Sequence, residues 1–104
     1  MDNNITLKPV YHKEMTNLSD EWEKMLDDFL VILYQKSPKS DNKTSYFARG
    51  DIATELGFTF TQTNNIVKEL IKRGYVAQSN TIGKKITITN YGKNYVRDLE
   101  LDKQ

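Results

Sequence analysis

The order of apolar periodicities predicts a mainly helical α+β domain. Most of the chain repeats its apolar residues every three or four positions, as amphipathic helices do, and only one short pair of segments alternates with a period of two. A Gly-containing turn joins that pair into a hairpin, so the sheet is small. The third observation is the distribution of charge in a chain of 104 residues and net charge +1. Residues 1–42 carry a net charge of −3, residues 43–97 a net charge of +6, and the last seven residues −2. Such asymmetry is expected where one face meets a polyanion, although a lysine-rich surface also serves solubility.

Residues 1–18 read as an N-terminal arm. Ile5, Leu7, Val10 and Tyr11 show no clear period there, and Pro9 interrupts a helix. The domain proper spans 19–100. Ser19 offers an N-cap, and Asp20, Glu21 and Glu23 suit the positive end of a helix dipole. Trp22, Met25, Leu26, Phe29, Ile32 and Leu33 then recur at helical spacing, predicting helix 1 over 20–36. Leu30, Val31 and Tyr34 widen its apolar surface, so cover is needed on more than one side. Trp22, Phe29, Leu30, Val31 and Tyr34 are therefore candidates for contact with the arm or with a second subunit.

Ser37-Pro38 ends helix 1, and a polar loop leads to Tyr46-Phe47, a very short strand. Helix 2 runs from Asp51 to its glycine stop, Gly57, with Ile52, Ala53 and Leu56 inward. Arg49-Gly50-Asp51 spells an adhesion tripeptide, read here as coincidence. Thr59 and Gln62 have capping-box spacing and start helix 3. Thr63, Ile66, Val67, Leu70 and Ile71 are its expected inward face. Residues 75–79 and 85–89 are the hairpin strands around the 80–83 turn, and Lys85 to Thr89 alternates as a half-buried strand does. Thr89 or Asn90 caps a last helix with Tyr91, Tyr95, Val96 and Leu99, and 101–104 form a charged tail.

Three segments in this order resemble the winged helix-turn-helix regulators, most closely the multiple-antibiotic-resistance regulator (MarR) family. They are Asp51 to Gly57 (Asp-Ile-Ala-Thr-Glu-Leu-Gly), Asn65 to Val76, and Ile86 to Lys93 with its Thr-x-x-Gly step. The likeness covers about residues 46–97 and implies a helix, a short strand, a helix-turn-helix, a two-stranded wing and a C-terminal helix. It also implies a dimeric transcription regulator; a cytoplasmic location is expected separately, from an N-terminus without a signal peptide. Two features depart from the family. Its wing carries Asp-x-Arg, where this chain has Lys84-Lys85 near the turn, and its long dimerising helices have no counterpart in the dozen residues after Gly92. A small-molecule effector, common in the family, is left without an assigned site.

In such a fold the second helix of the pair enters the major groove and the first crosses the phosphate backbone. Candidate base contacts are Thr61, Gln62, Asn64, Asn65 and Lys68. Asn and Gln pair with an adenine edge and Thr with a thymine methyl, which suggests A/T-containing sites. Exposed polar residues are also ordinary helix surface; their place between a helix-turn-helix and a basic hairpin favours base contact. Lys43, Arg49, Lys72, Arg73, Lys84 and Lys85 are candidates for backbone or wing contacts. Phe60 either packs back against the turn with Phe58, the favoured reading, or stacks on an unpaired base. Ile82 marks the wing tip.

Little points to catalysis. Cysteine is absent, and His12 is the single histidine, without a partner at nucleophile spacing. One histidine among scattered carboxylates makes no metal site, and the isolated glycines form no phosphate loop. No cofactor is expected. The N-terminus lacks a signal peptide's basic start and apolar run, and Phe29–Tyr34, the longest apolar run, is too short to span a bilayer. The expected function is a dimeric duplex-DNA regulator with half-sites about ten base pairs apart. Two alternatives stand beside it. One is an accessory protein of a phage, plasmid or other mobile element that binds nucleic acid, including single strands; the other is a winged helix serving protein interaction alone.

Overall fold

A computed structural model describes residues 7–40, 42–80 and 83–102. Four helices and one hairpin follow in the order α1 (Leu7–Lys36), α2 (Arg49–Leu56), α3 (Phe60–Lys72), β1 (Val76–Gln78), β2 (Ile86–Ile88) and α4 (Asn90–Asp102). The fold is thus mainly helical with a small two-stranded antiparallel sheet. Among these residues no helix is long and apolar enough to cross a membrane.

Helix α1 corrects the expected arm, since it begins at Leu7 and not near Asp20. Pro9 is tolerated because it sits in the first turn, where a backbone N–H has no partner inside the helix. Ser19 consequently falls inside the helix. The overlooked signal is the run Leu7, Tyr11, Met15, Leu18, Trp22, Met25 and Phe29, spaced by threes and fours. At the other end, α4 carries the expected tail residues Leu101 and Asp102. Residues 1–6 of the arm, Ile82 and residues 103–104 lie outside the described residues.

The core forms around α1. Leu26, Phe29, Leu30 and Leu33 are buried against Ile52 of α2, Ile66, Val67 and Leu70 of α3, Val76, Ile86 and Ile88 of the hairpin, and Val96 of α4. Phe29 and Leu30 are therefore interior residues of this chain and not contacts for an arm or second subunit. Trp22, Val31 and Tyr34 are half-buried against the same core. Leu26, Phe29, Leu30 and Leu33 of α1 are thus covered by its neighbours α2, α3, β2 and α4 together.

The turn into α3 follows its predicted chemistry. Gly57 takes a left-handed φ of 72°, and Thr59 and Gln62 close a reciprocal capping box. Ile71 corrects the expected inward face, being 37% exposed. At about 100° per residue it shares a row with Phe60 and Asn64, turned away from the stripe of Thr63, Ile66 and Leu70.

In the hairpin, Val76 pairs with Ile88, Ala77 with Thr87 and Gln78 with Ile86. Phe47 adds a bridge to the other side of Ile86 through two 2.8 Å hydrogen bonds. β2 is thus flanked on both sides, and all three of its residues are buried, Thr87 included. The expected half-exposed alternation is not kept.

The return into α4 depends on Thr89. Its Oγ1 accepts from the Gly92 N–H at 3.0 Å, capping α4, and donates to the Gly74 carbonyl at 2.7 Å. Its N–H donates to the Tyr75 carbonyl at 3.0 Å. A Cβ on Gly92 would collide with that same carbonyl oxygen and approach Ile88 Cγ1 to 2.8 Å. On the outer side Tyr75 stacks on Tyr91 and Tyr95, and the Tyr95 hydroxyl donates to Asp27 of α1 at 2.7 Å.

Two stability measurements check this packing. Leu30→Ala should lower the unfolding free energy by about 2–5 kcal/mol in urea titrations, the range of a buried Leu truncation. Gly92→Ala should cost about 1–3 kcal/mol or more, because a backbone atom blocks the added methyl.

Candidate functional site

The α3 surface divides into rows fixed by the helical repeat. Thr61, Asn65, Lys68 and Lys72, at offsets of four, seven and eleven, form the row opposite the core, and all four are exposed. Phe60, Asn64, Val67 and Ile71 have the same offsets and form the flank turned towards the hairpin. Between that flank and the hairpin runs a trough with two overlapping parts. One, about 630 Å³, is lined by Ala48, Arg49, Gly50, Phe60, Asn64, Gln78, Gly83 and Lys84. The other, about 420 Å³, continues past Arg49, Asn64 and Gln78 to Val67, Lys68 and Ile71.

Arg49 holds the trough together. Standing at the start of α2, its guanidinium donates to Asn64 Oδ1 of α3 at 3.2 Å, to Gln78 Oε1 of β1, and to the Lys84 carbonyl at 3.5 Å. Gly83 and Lys84 both have positive φ, 92° and 46°. That backbone turns the Lys84 carbonyl towards Arg49, at the strain a non-glycine residue carries in the left-handed region. The adhesion-like tripeptide is simply the first turn of α2.

Several expected contacts are reassigned by this geometry. The Gln62 side chain accepts from the Thr59 N–H at 2.9 Å, so its amide caps α3. Asn64 is half-buried, and its oxygen faces the Arg49 guanidinium, a group with donors only. Each amide oxygen thus already accepts one hydrogen bond within the chain. Thr61, Asn65 and Lys68 stay exposed in the outer row. Phe60 does not pack back with Phe58: Phe58 lies against the core, while Phe60 is 81% exposed.

The cations fall into two groups. Arg73 reaches Glu23 through two hydrogen bonds of 2.9 and 2.8 Å and Glu69 through one of 2.7 Å, so it joins α3 to α1. These carboxylates hold its guanidinium firmly protonated. Lys24 pairs with Asp28 and Lys36 with Glu55. Lys93, counted in the basic block, is 3% exposed, and its Nζ donates to the Ser40 carbonyl at 3.1 Å. Arg97 bonds Tyr34, Asn94 and Lys39. By contrast Lys68, Lys72, Lys84 and Lys85 are exposed, with no carboxylate partner among the described residues. Lys43 is also exposed but lies in the loop that Lys93 and Arg97 fasten to α4, and it lines neither part of the trough.

Sequence reasoning missed Gln78 as a partner of Arg49 and Lys93 as an interior residue. Strand parity and helical phase are compatible with both positions, but a glutamine or lysine gives no apolar signal to reveal them. No family model, curated protein or solved structure matches the chain.

The Glu23–Arg73 pair gives this side of the domain a pH signature. The hydrogen bonds from Arg73 hold the Glu23 carboxyl below its ordinary value, outweighing desolvation. A depressed carboxylate stabilises the fold above about pH 4.5, and the contribution is lost as pH falls through the lowered folded-state value. The pair is about half exposed on the Glu23 side, so the effect is small. Glu23→Gln should therefore lower Tm slightly at pH 7, and thermal melts should show the gap to the native chain closing as pH falls below about 4.5 and through the lowered folded-state value.

Proposed function

We propose that the chain is a DNA-binding protein of the winged helix-turn-helix kind, a transcription regulator that reads duplex DNA. In this reading α3 enters the major groove with Thr61, Asn65 and Lys68, and the hairpin serves as the wing. Lys72, Lys84 and Lys85 meet phosphates. One observation carries the reading: Lys68 and Lys84, exposed and without a carboxylate partner among the described residues, line the trough beside α3, whereas Lys24, Lys36, Arg73 and Lys93 are engaged by carboxylates or a carbonyl. Charges left without an internal partner next to a protruding helix suit a polyanion with a groove.

Arg73 has no part in the interface, because two glutamates already hold it. Arg49 acts by shaping the trough. The homodimer belongs to the same proposal, with Phe29 and Leu30 excluded from its interface. The accessory single-strand reading draws on Phe60, whose exposed ring suits base stacking. The protein-interaction reading draws on the apolar residues of α1 that are only partly buried, Trp22, Val31 and Tyr34 among them.

Fluorescence anisotropy with random duplex and random single-stranded pools, at low and high salt, tests the proposal. Tighter duplex binding that weakens with salt is the expected result, and single-strand preference or no binding overturns it. The variant Lys84→Asn/Lys85→Ala, with Asn chosen to suit the left-handed backbone, should reduce the slope of log K against log salt by about two. Arg73→Gln should leave that slope unchanged.

A further inference from the structure

Phe60 is a large apolar side chain left 81% exposed. Its position is nevertheless fixed. The capping box of Thr59 and Gln62 makes Phe60 the first residue of α3, and Phe58, two positions earlier, takes the place against the core. The turn thus carries two aromatic rings, of which one is inside and one in water.

The side chains around it narrow what this end of α3 can recognise. Gln62 and Asn64 have their amide oxygens engaged by Thr59 and Arg49. Beside these partly engaged amides the leading end presents two apolar groups, the Phe60 ring and the Thr61 methyl, with Asn65 and Lys68 one turn further on. In the major groove the one apolar feature of a base edge is the C5 methyl of thymine. We infer that Phe60 is a specificity-determining residue that contacts a thymine methyl when α3 lies in the major groove. The inference rests on the duplex-binding reading above. Stacking on an unpaired base fits less well: across the trough from Phe60 stand Arg49, Gln78 and Lys84, and no second ring lines it to sandwich a base.

The test starts from the duplex that the protein selects from a random pool. Each thymine is replaced singly by deoxyuridine, which removes the methyl and keeps the pairing edge. At one position this should weaken binding about fourfold, the worth of one buried methyl. Phe60→Ala should bind the thymine and uracil duplexes equally, and Phe60→Leu should retain part of the discrimination. If no replacement affects the native protein, or if Phe60→Ala still discriminates, the inference is overturned while duplex binding stands. If single strands bind more tightly than any duplex, both fall.

Discussion

Thr89 is the point on which the arrangement of the other elements depends. Through its N–H and hydroxyl it joins the end of α3, the end of β2 and the first turn of α4. The end of α3, 15 residues back in the chain, thereby meets the junction of β2 and α4 within one residue's reach. Gly74, with a φ of 85°, lets the chain leave α3 and present its carbonyl to this hydroxyl. Gly92 leaves the space that the Tyr75 carbonyl occupies. With this end secured and the Phe47 bridge on the other side of Ile86, β2 is fixed against the core. The hairpin then stands beside α3, with Gln78, Gly83 and Lys84 lining the trough together with Phe60 and Asn64.

Arg49 keeps that separation defined by bonding across it to Asn64 and Gln78. Its role differs from that of the exposed lysines, and so does the role of Arg73. Exposed ion pairs contribute little to stability. Their larger effect is on the field: Lys24, Lys36 and Arg73 are neutralised close to where they stand, and the unpaired lysines set the potential near α3. A net charge of +1 for the chain hides this local imbalance.

Much of the fold was legible because its signals are local. The capping box, the glycine stop at Gly57 and the Thr-x-x-Gly step each act within a few residues, and each fell where expected. The start of α1 was misread because Pro9 was taken as a break; its cost vanishes in a first turn. The inward phase of α3 was legible except at Ile71, on the margin of the apolar stripe. The site was less legible. Sequence gives the chemical capability of Gln62, Asn64, Arg49 and Arg73, but their roles depend on which neighbour each side chain meets. Those neighbours lie up to 50 residues away, as with Glu23 and Arg73. Phe60 shows the same limit, since its composition favours burial and its neighbour Phe58 occupies the available place.

The burial of Lys93 has a practical consequence for chemical labelling. An amine reagent reaches the ammonium groups of Lys68, Lys72, Lys84 and Lys85 in water, whereas that of Lys93 lies under the Ser40 loop, bonded to its carbonyl. Its acylation therefore reports loss of tertiary structure, and protection of the other four reports coverage of the α3 face. A single mass-spectrometric footprint thus contains its own reference for an intact fold.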